Sequence, residues 1–168
     1  MSRWLLEILK QGCLSEEAVF PDRPLESWQH ELWQHFGRAL VIRHVDAGSC
    51  NGCELELHAL QGPHYDLTGL GIRFTASPRH ADLLLVTGPV SRHMAVALRR
   101  TYDAMPEPRW VVALGDCGVD GGMFGSSYAC HGPVASVIPV DATVPGCAPS
   151  PEQILEGVWR AVTGSPKP

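Results

Sequence analysis

The sequence predicts an α/β domain, with helices on both faces of a doubly wound, mostly parallel sheet and a helical arm in front of it. Two observations carry this expectation. From residue 39 onward, short apolar runs alternate with amphipathic helical stretches, the order that builds parallel sheets. Within that region, residues 82–87 (Asp-Leu-Leu-Leu-Val-Thr) show no alternation, as in a strand covered on both faces.

Residues 1–38 differ from the rest and form the arm, leaving residues 39–168 as the principal domain. The arm holds three of the five tryptophans and two helical patterns split by Pro21-Asp22-Arg23-Pro24. Trp4, Leu5, Ile8 and Leu9 share one face of the first; Trp28, Leu32, Trp33 and Phe36 share one face of the second. Such faces pack either on the domain's own core or on a partner subunit, since aromatic-rich arms suit interfaces. Strands are expected at residues 39–45, 72–75, 82–87, 110–114 and 137–140. Helices are expected at residues 52–60, 92–104 and 151–162. The last has Ser150 as N-cap, Pro151 at the first helical position and Glu152 in the first turn.

A chain of 168 residues is long enough for a proper core. Its 18% charged content is low, which fits a surface partly covered by other subunits. A net charge of −5 gives no electrostatic case for nucleic acid. No apolar run approaches the roughly 20 residues needed to cross a bilayer. Glu7 and Lys10 interrupt any apolar core of an export signal, and no twin-arginine pair is present. The expected place is therefore the cytoplasmic side.

Six cysteines in such a chain favour metal ligation over disulfides. Cys50-Asn51-Gly52-Cys53 stands where a strand ends and a helix begins, so two thiolates can grip one centre near helical N–H groups. Alone, this spacing also fits half a zinc site or a thioredoxin-type pair. Cys117 follows the fourth strand within Gly115-Asp116-Cys117-Gly118, where glycines let amides approach sulfur. Cys147 sits in Pro145-Gly146-Cys147-Ala148-Pro149, a loop stiffened by its prolines. In a doubly wound sheet, ligands collect at the carboxyl ends of the strands. Three separate segments thus bring cysteines to one edge. Zinc prefers local pairs in a small domain and fits one pair plus two distant cysteines poorly. A thioredoxin-type pair would leave Cys117 and Cys147 unused. Cys130, in Tyr128-Ala129-Cys130-His131-Gly132, is read as a structural thiol that could otherwise replace a ligand, and Cys13 as incidental.

Four motifs in order resemble the small subunit of [NiFe] hydrogenases. They are Cys50-x-Gly52-Cys53-x-x-Glu56, Ser77-Pro78-Arg79-His80-Ala81-Asp82-Leu83-Leu84, Gly115-x-Cys117-x-x-x-Gly121-Gly122, and Val144-Pro145-Gly146-Cys147. The likeness spans roughly residues 40–163. It is nearest the membrane-associated, energy-converting and formate-hydrogenlyase-like type; the homologous cluster subunit of respiratory NADH:quinone oxidoreductase is a more distant relative. The resemblance implies a flavodoxin-like fold and one [4Fe–4S] cluster held by Cys50, Cys53, Cys117 and Cys147. It implies electron transfer between a ferredoxin-like iron–sulfur subunit and a [NiFe] large subunit, in a complex with membrane subunits that hold this chain peripherally. The quinone-linked relative carries adjacent cysteines at the first motif, so C-x-x-C sorts this chain with hydrogenases. Only 21 residues (168 − 147) follow Cys147, and none is cysteine or histidine. Ala148 departs from the family's usual proline.

Other readings of function remain beside this one. A hydrogenase-related or NADH:quinone-oxidoreductase-like complex without hydrogenase activity would use the same cluster. A non-redox zinc-binding interaction module is the reading from another class. On a helix Glu54 and Glu56 point to different faces, so at most one faces the centre. The resemblance favours Glu56, as a proton relay; a paired structural carboxylate is the alternative. Arg79 and His80 belong to the sheet's amino edge. His44, His58 and His64 read as structural, and Arg92, Arg99 and Arg100 as one side of a helix facing solvent or a partner.

Overall fold

The computed structural model describes His30, Trp33, Gln34 and residues 36–164. The first helical pattern of the arm, Cys13, and Trp28 and Leu32 of the second pattern lie outside the described residues. Phe36 packs edge-on against Trp110, with ring centroids 5.6 Å apart, whereas Trp33 is 64% exposed.

The principal sheet contains β1 (Leu40–Asp46), β2 (Ile72–Phe74), β3 (Leu83–Thr87), β5 (Trp110–Leu114) and β7 (Ala142–Val144). Its order is β2-β1-β3-β5-β7 and every pairing is parallel. Counted within the sheet, that is second, first, third, fourth, fifth. This is the flavodoxin-like order, with its switch point between β1 and β3. A two-stranded antiparallel ribbon pairs β4 (Val90–Ser91) with β6 (Cys130–Gly132).

Every residue of β3 and β5 is buried, as the unbroken apolar run of residues 82–87 implied. Side chains alternate between two cores, because successive strand residues point to opposite faces. Leu83, Leu85, Val112 and Leu114 meet α1 (Gly52–Leu60) and α4 (Pro151–Gly164) through Leu57, Leu60, Ile154 and Val158. Leu84, Val86, Val111 and Ala113 meet α2 (Arg92–Asp103) through Leu98, with Val134 and Ile138 closing the layer. The α4 start is a capping box: Ser150 Oγ accepts from the Gln153 N–H, and Gln153 Oε1 accepts from the Ser150 N–H.

One expected strand is corrected. Residues 137–140 form no strand. Pro139 has no N–H for a ladder, and the chain instead turns through a 3₁₀ segment at Val134–Ser136 that buries Val134 and Ile138. Pairing is delayed until Asp141, whose N–H reaches the Val111 carbonyl while its carboxylate accepts from the Val111 N–H. Asp82 has a similar place at the head of β3. Its buried carboxylate accepts from Arg38 and from the Val41 N–H, tying the chain before β1 to the sheet's amino edge. Arg79 and His80 sit in the 3₁₀ turn Pro78–His80 at that same edge, far from the carboxyl ends where the cysteines gather.

Candidate metal centre

The first cysteine loop leaves β1 through a turn built on one carboxylate. Asp46 Oδ1 accepts from the Gly48 and Ser49 N–H groups, each at 2.8 Å. The turn lies so close to the end of β3 that a Cβ on Gly88 would stand 2.5 Å from the Ser49 nitrogen. Asn51 then takes a left-handed conformation, φ 73°, and caps α1. This places Cys50 on the exposed loop and Cys53, half-buried, in the first turn of the helix.

The second cysteine leaves β5 through α3 (Gly115–Val119), a five-residue helix. Gly115 has φ +79°, and a Cβ there would lie 2.6 Å from Cys53 Sγ. The Cys53 side chain thus fills the space that any other residue at 115 would occupy. Gly122, at φ +51°, makes the same room for Cys117, whose Sγ would be 2.9 Å from an added Cβ. The third loop follows β7 by two residues, and Gly146 folds it tightly over buried Pro149, with an added Cβ only 2.8 Å from the Pro149 Cα. Cys147 is exposed and its peptide bond to Ala148 is cis.

The four expected ligands therefore follow the carboxyl ends of β1, β5 and β7, within one another's electrostatic reach. Burial pushes the Cys53 thiol up to about 12, and Glu54, Cys50, Cys117 and Cys147 push it in the same direction. Cys117 is also raised, first by burial and then by Cys147, Cys50, Asp116 and Asp120. A cationic centre nearby, such as a metal supplies, would favour the thiolate form of Cys53 and Cys117 against these effects. Among the described residues, no three His, Cys, Asp or Glu side chains are grouped about a single-ion position. The donor set is all sulfur, comes from three loops, and is bordered by glycines whose missing side chains leave space for the thiols. It fits an iron–sulfur cluster.

Cys130 stands apart, on β6 opposite Ser91. The two carboxylates of α1 take different environments. Glu54 is buried: Oε2 accepts from Ser49 Oγ at 2.6 Å, and Oε1 is 3.7 Å from His44 Nε2 without a hydrogen-bond partner. His44 in turn meets Thr87 Oγ1 at 3.0 Å, and burial lowers its pKa. Glu54 and His44 line a cavity of about 330 Å³ with Arg43 and His58. Glu56 is half-buried and helps raise the pKa of Tyr65. Sequence reasoning weighed the two carboxylates without seeing that Ser49 and His44 bury the first.

It also missed Tyr65, whose hydroxyl donates to Glu152 Oε1 at 2.6 Å and so joins the segment after α1 to the start of α4. That bond raises Tyr65 to about 12 and holds Glu152 below its usual 4.5. A lowered carboxylate contributes stability above its unfolded value, and that stability is lost as pH falls through the folded one. Tyr65→Phe is therefore expected to destabilise the domain by about 1 kcal/mol near neutrality. The deficit should shrink in acid well below 4.5, and urea unfolding at the two conditions reads the difference. An equal deficit at both would show that lost packing, rather than the bond, is responsible.

The chain has relatives among known proteins. Residues 50–161 match the family described as NADH ubiquinone oxidoreductase, 20 Kd subunit. A probable membrane-bound hydrogenase subunit of Pyrococcus furiosus is 43% identical over 138 residues, covering 82% of this chain and 83% of the relative. An NADH-quinone oxidoreductase subunit of Desulfovibrio desulfuricans is 48% identical over 127 residues, covering 75% of this chain and 68% of the relative. Among solved structures, the membrane-bound sulfane sulfur reductase, an archaeal respiratory membrane complex, superposes with TM-score 0.65. It is 32% identical and covers 80% of this chain and 73% of its own.

Proposed function

Because the chain belongs to the family of the NADH ubiquinone oxidoreductase 20 Kd subunit, whose members include subunits of membrane-bound oxidoreductase complexes, we propose that it is the electron-transfer small subunit of a membrane-associated [NiFe] hydrogenase. In this reading Cys50, Cys53, Cys117 and Cys147 hold one [4Fe–4S] cluster. The convergence of those four thiols on one sheet edge carries the proposal. When bound, the cluster supplies a one-electron station between a ferredoxin-like subunit and a [NiFe] large subunit.

This chain's own residues then fix the station and cover it. The glycines at 115 and 122 leave room for the Cys53 and Cys117 thiols. Met123 and Tyr128, 98% and 93% exposed, and Phe124 stand on the loop that follows Cys117. Apolar residues at the rim of a redox site suit a subunit seated over it, and so does a partner-docking arm at residues 1–38. Glu56, near Tyr65 and one helical turn from Cys53, is the proposed proton relay. No described helix is long and apolar enough to cross a membrane, so membrane subunits would hold the chain peripherally, on the cytoplasmic side.

Anaerobically purified complex should contain about four iron and four labile sulfide per copy of this chain in this site. It should reduce an artificial dye with hydrogen, and Glu56→Gln should slow that turnover with the cluster intact. The large subunit should carry two C-x-x-C pairs for nickel and iron. The likeness to the sulfane sulfur reductase favours a second reading, a hydrogenase-related complex without hydrogenase activity. A partner without those pairs, together with no hydrogen-dependent dye reduction, selects it. A colourless, zinc-loaded protein would sink both.

A further inference from the structure

The Cys117 and Cys147 loops descend from neighbouring strands, and a single residue joins them. Asp116 Oδ1 accepts from the Gly146 N–H at 2.7 Å, while the Asp116 N–H donates to the Gly146 carbonyl at 3.0 Å. Both residues immediately precede a cysteine. The bonded pair thus sits one residue before each of the two ligands that are most distant in sequence from the C-x-x-C loop.

We propose that Asp116 is a positioning residue that sets the separation of Cys117 from Cys147, the two ligands that the cluster would take from β5 and β7. The inference rests on the cluster reading above. Its physical basis is that the two loops otherwise have little to register them. The β5–β7 pairing ends at Leu114 and Val144, and Gly115 and Gly146 both have positive φ, so the backbone turns off the ladder directly after β5 and two residues after β7. The backbone bond from the Asp116 N–H anchors one loop to the other at a point. The carboxylate adds a second bond to the same peptide region and turns that point into a two-bond clasp. The short helix continues the constraint into the ligand, because the Asp120 N–H returns to the Asp116 carbonyl at 3.0 Å and the Gly121 N–H to the Cys117 carbonyl at 3.1 Å. Outer partners of metal ligands typically change metal affinity by 10–100-fold when removed.

The test uses the full chain in its complex, comparing Asp116→Ala, which removes the acceptor, with Asp116→Asn, which keeps a side-chain oxygen at the same place. Cluster loss to an iron chelator is followed by the fading of its visible absorbance, and the reduced cluster is examined by EPR. Asp116→Ala should lose its cluster about 10-fold faster and show broadened or displaced g-values. Asp116→Asn should stay near wild type in both. Wild-type kinetics and spectrum in Asp116→Ala would overturn the proposal. So would an Asn variant as impaired as the Ala variant, since charge rather than the bond would then be at work. If the wild-type complex itself carries no iron–sulfur cluster, the functional reading fails first, and that outcome is visible before any variant is compared.

Discussion

Cys117→Ala is expected to abolish the cluster. Cys117 reaches the site from α3, Cys147 from the loop after β7, and the other two ligands from the β1–α1 junction. Each thiolate is therefore the tether of its own segment or half of the only local pair. Cys50→Ala, Cys53→Ala and Cys147→Ala should each leave iron and labile sulfide far below wild type, with bleached visible absorbance. Metal binding is coupled to folding, so these variants should also be less heat-stable than cluster-loaded wild type. Cys130→Ala supplies the matched control. Its thiol sits on the ribbon strand β6, and its backbone N–H is held by Ser127 Oγ, neither of which requires the sulfur. Iron should stay at the wild-type level there. A full cluster in Cys117→Ala would show that the ligand set is wrong, and its loss in Cys130→Ala would make Cys130 a ligand.

The fold was legible where burial is complete. Leu83–Thr87 and Trp110–Leu114 are buried along their whole length, and their unbroken apolar runs are the trace of that burial in the sequence. α1 and α4 were legible from patterns that begin with a glycine or proline and end near the last apolar contact. The failures occur where side-chain chemistry and backbone pairing separate. Val137, Ile138 and Val140 have strand-forming side chains, yet Ile138 packs on α2's side of the sheet and Pro139 cannot donate, so the strand is the short Ala142–Val144. The ribbon of β4 and β6 was invisible because its strands hold two and three residues and are joined only by tertiary pairing. At the site, cysteine spacing and glycine placement were readable, because thiolates and backbone approach leave traces in sequence. The groups that brace them were not. Asp116, Ser49 and Tyr65 look like ordinary loop residues until other chain segments, at Gly146, Glu54 and Glu152, are brought alongside.

Gly115→Ala should separate the fold from the cluster. The substitution has two costs. One is the left-handed backbone at φ +79°, roughly 1–2 kcal/mol for a residue with a Cβ. The other is a collision, since the new methyl would stand 2.6 Å from Cys53 Sγ and 3.4 Å from the Gly146 carbonyl. The thiol is the end of a short side chain and can rotate away, so the domain has an escape. That rotation takes Cys53 out of the position shared with Cys50, Cys117 and Cys147, and the cluster has none. The expected product is a folded chain with native far-ultraviolet circular dichroism and little iron. Gly71→Ala isolates the backbone cost. Gly71 has φ +82°, almost the same strain, but nothing lies within 4 Å of the added Cβ. It should lose roughly 1–2 kcal/mol of stability and keep its iron. Equal iron in the two variants would mean that the space beside Cys53 is not reserved for a ligand, and the assignment of Cys53 would fall with it.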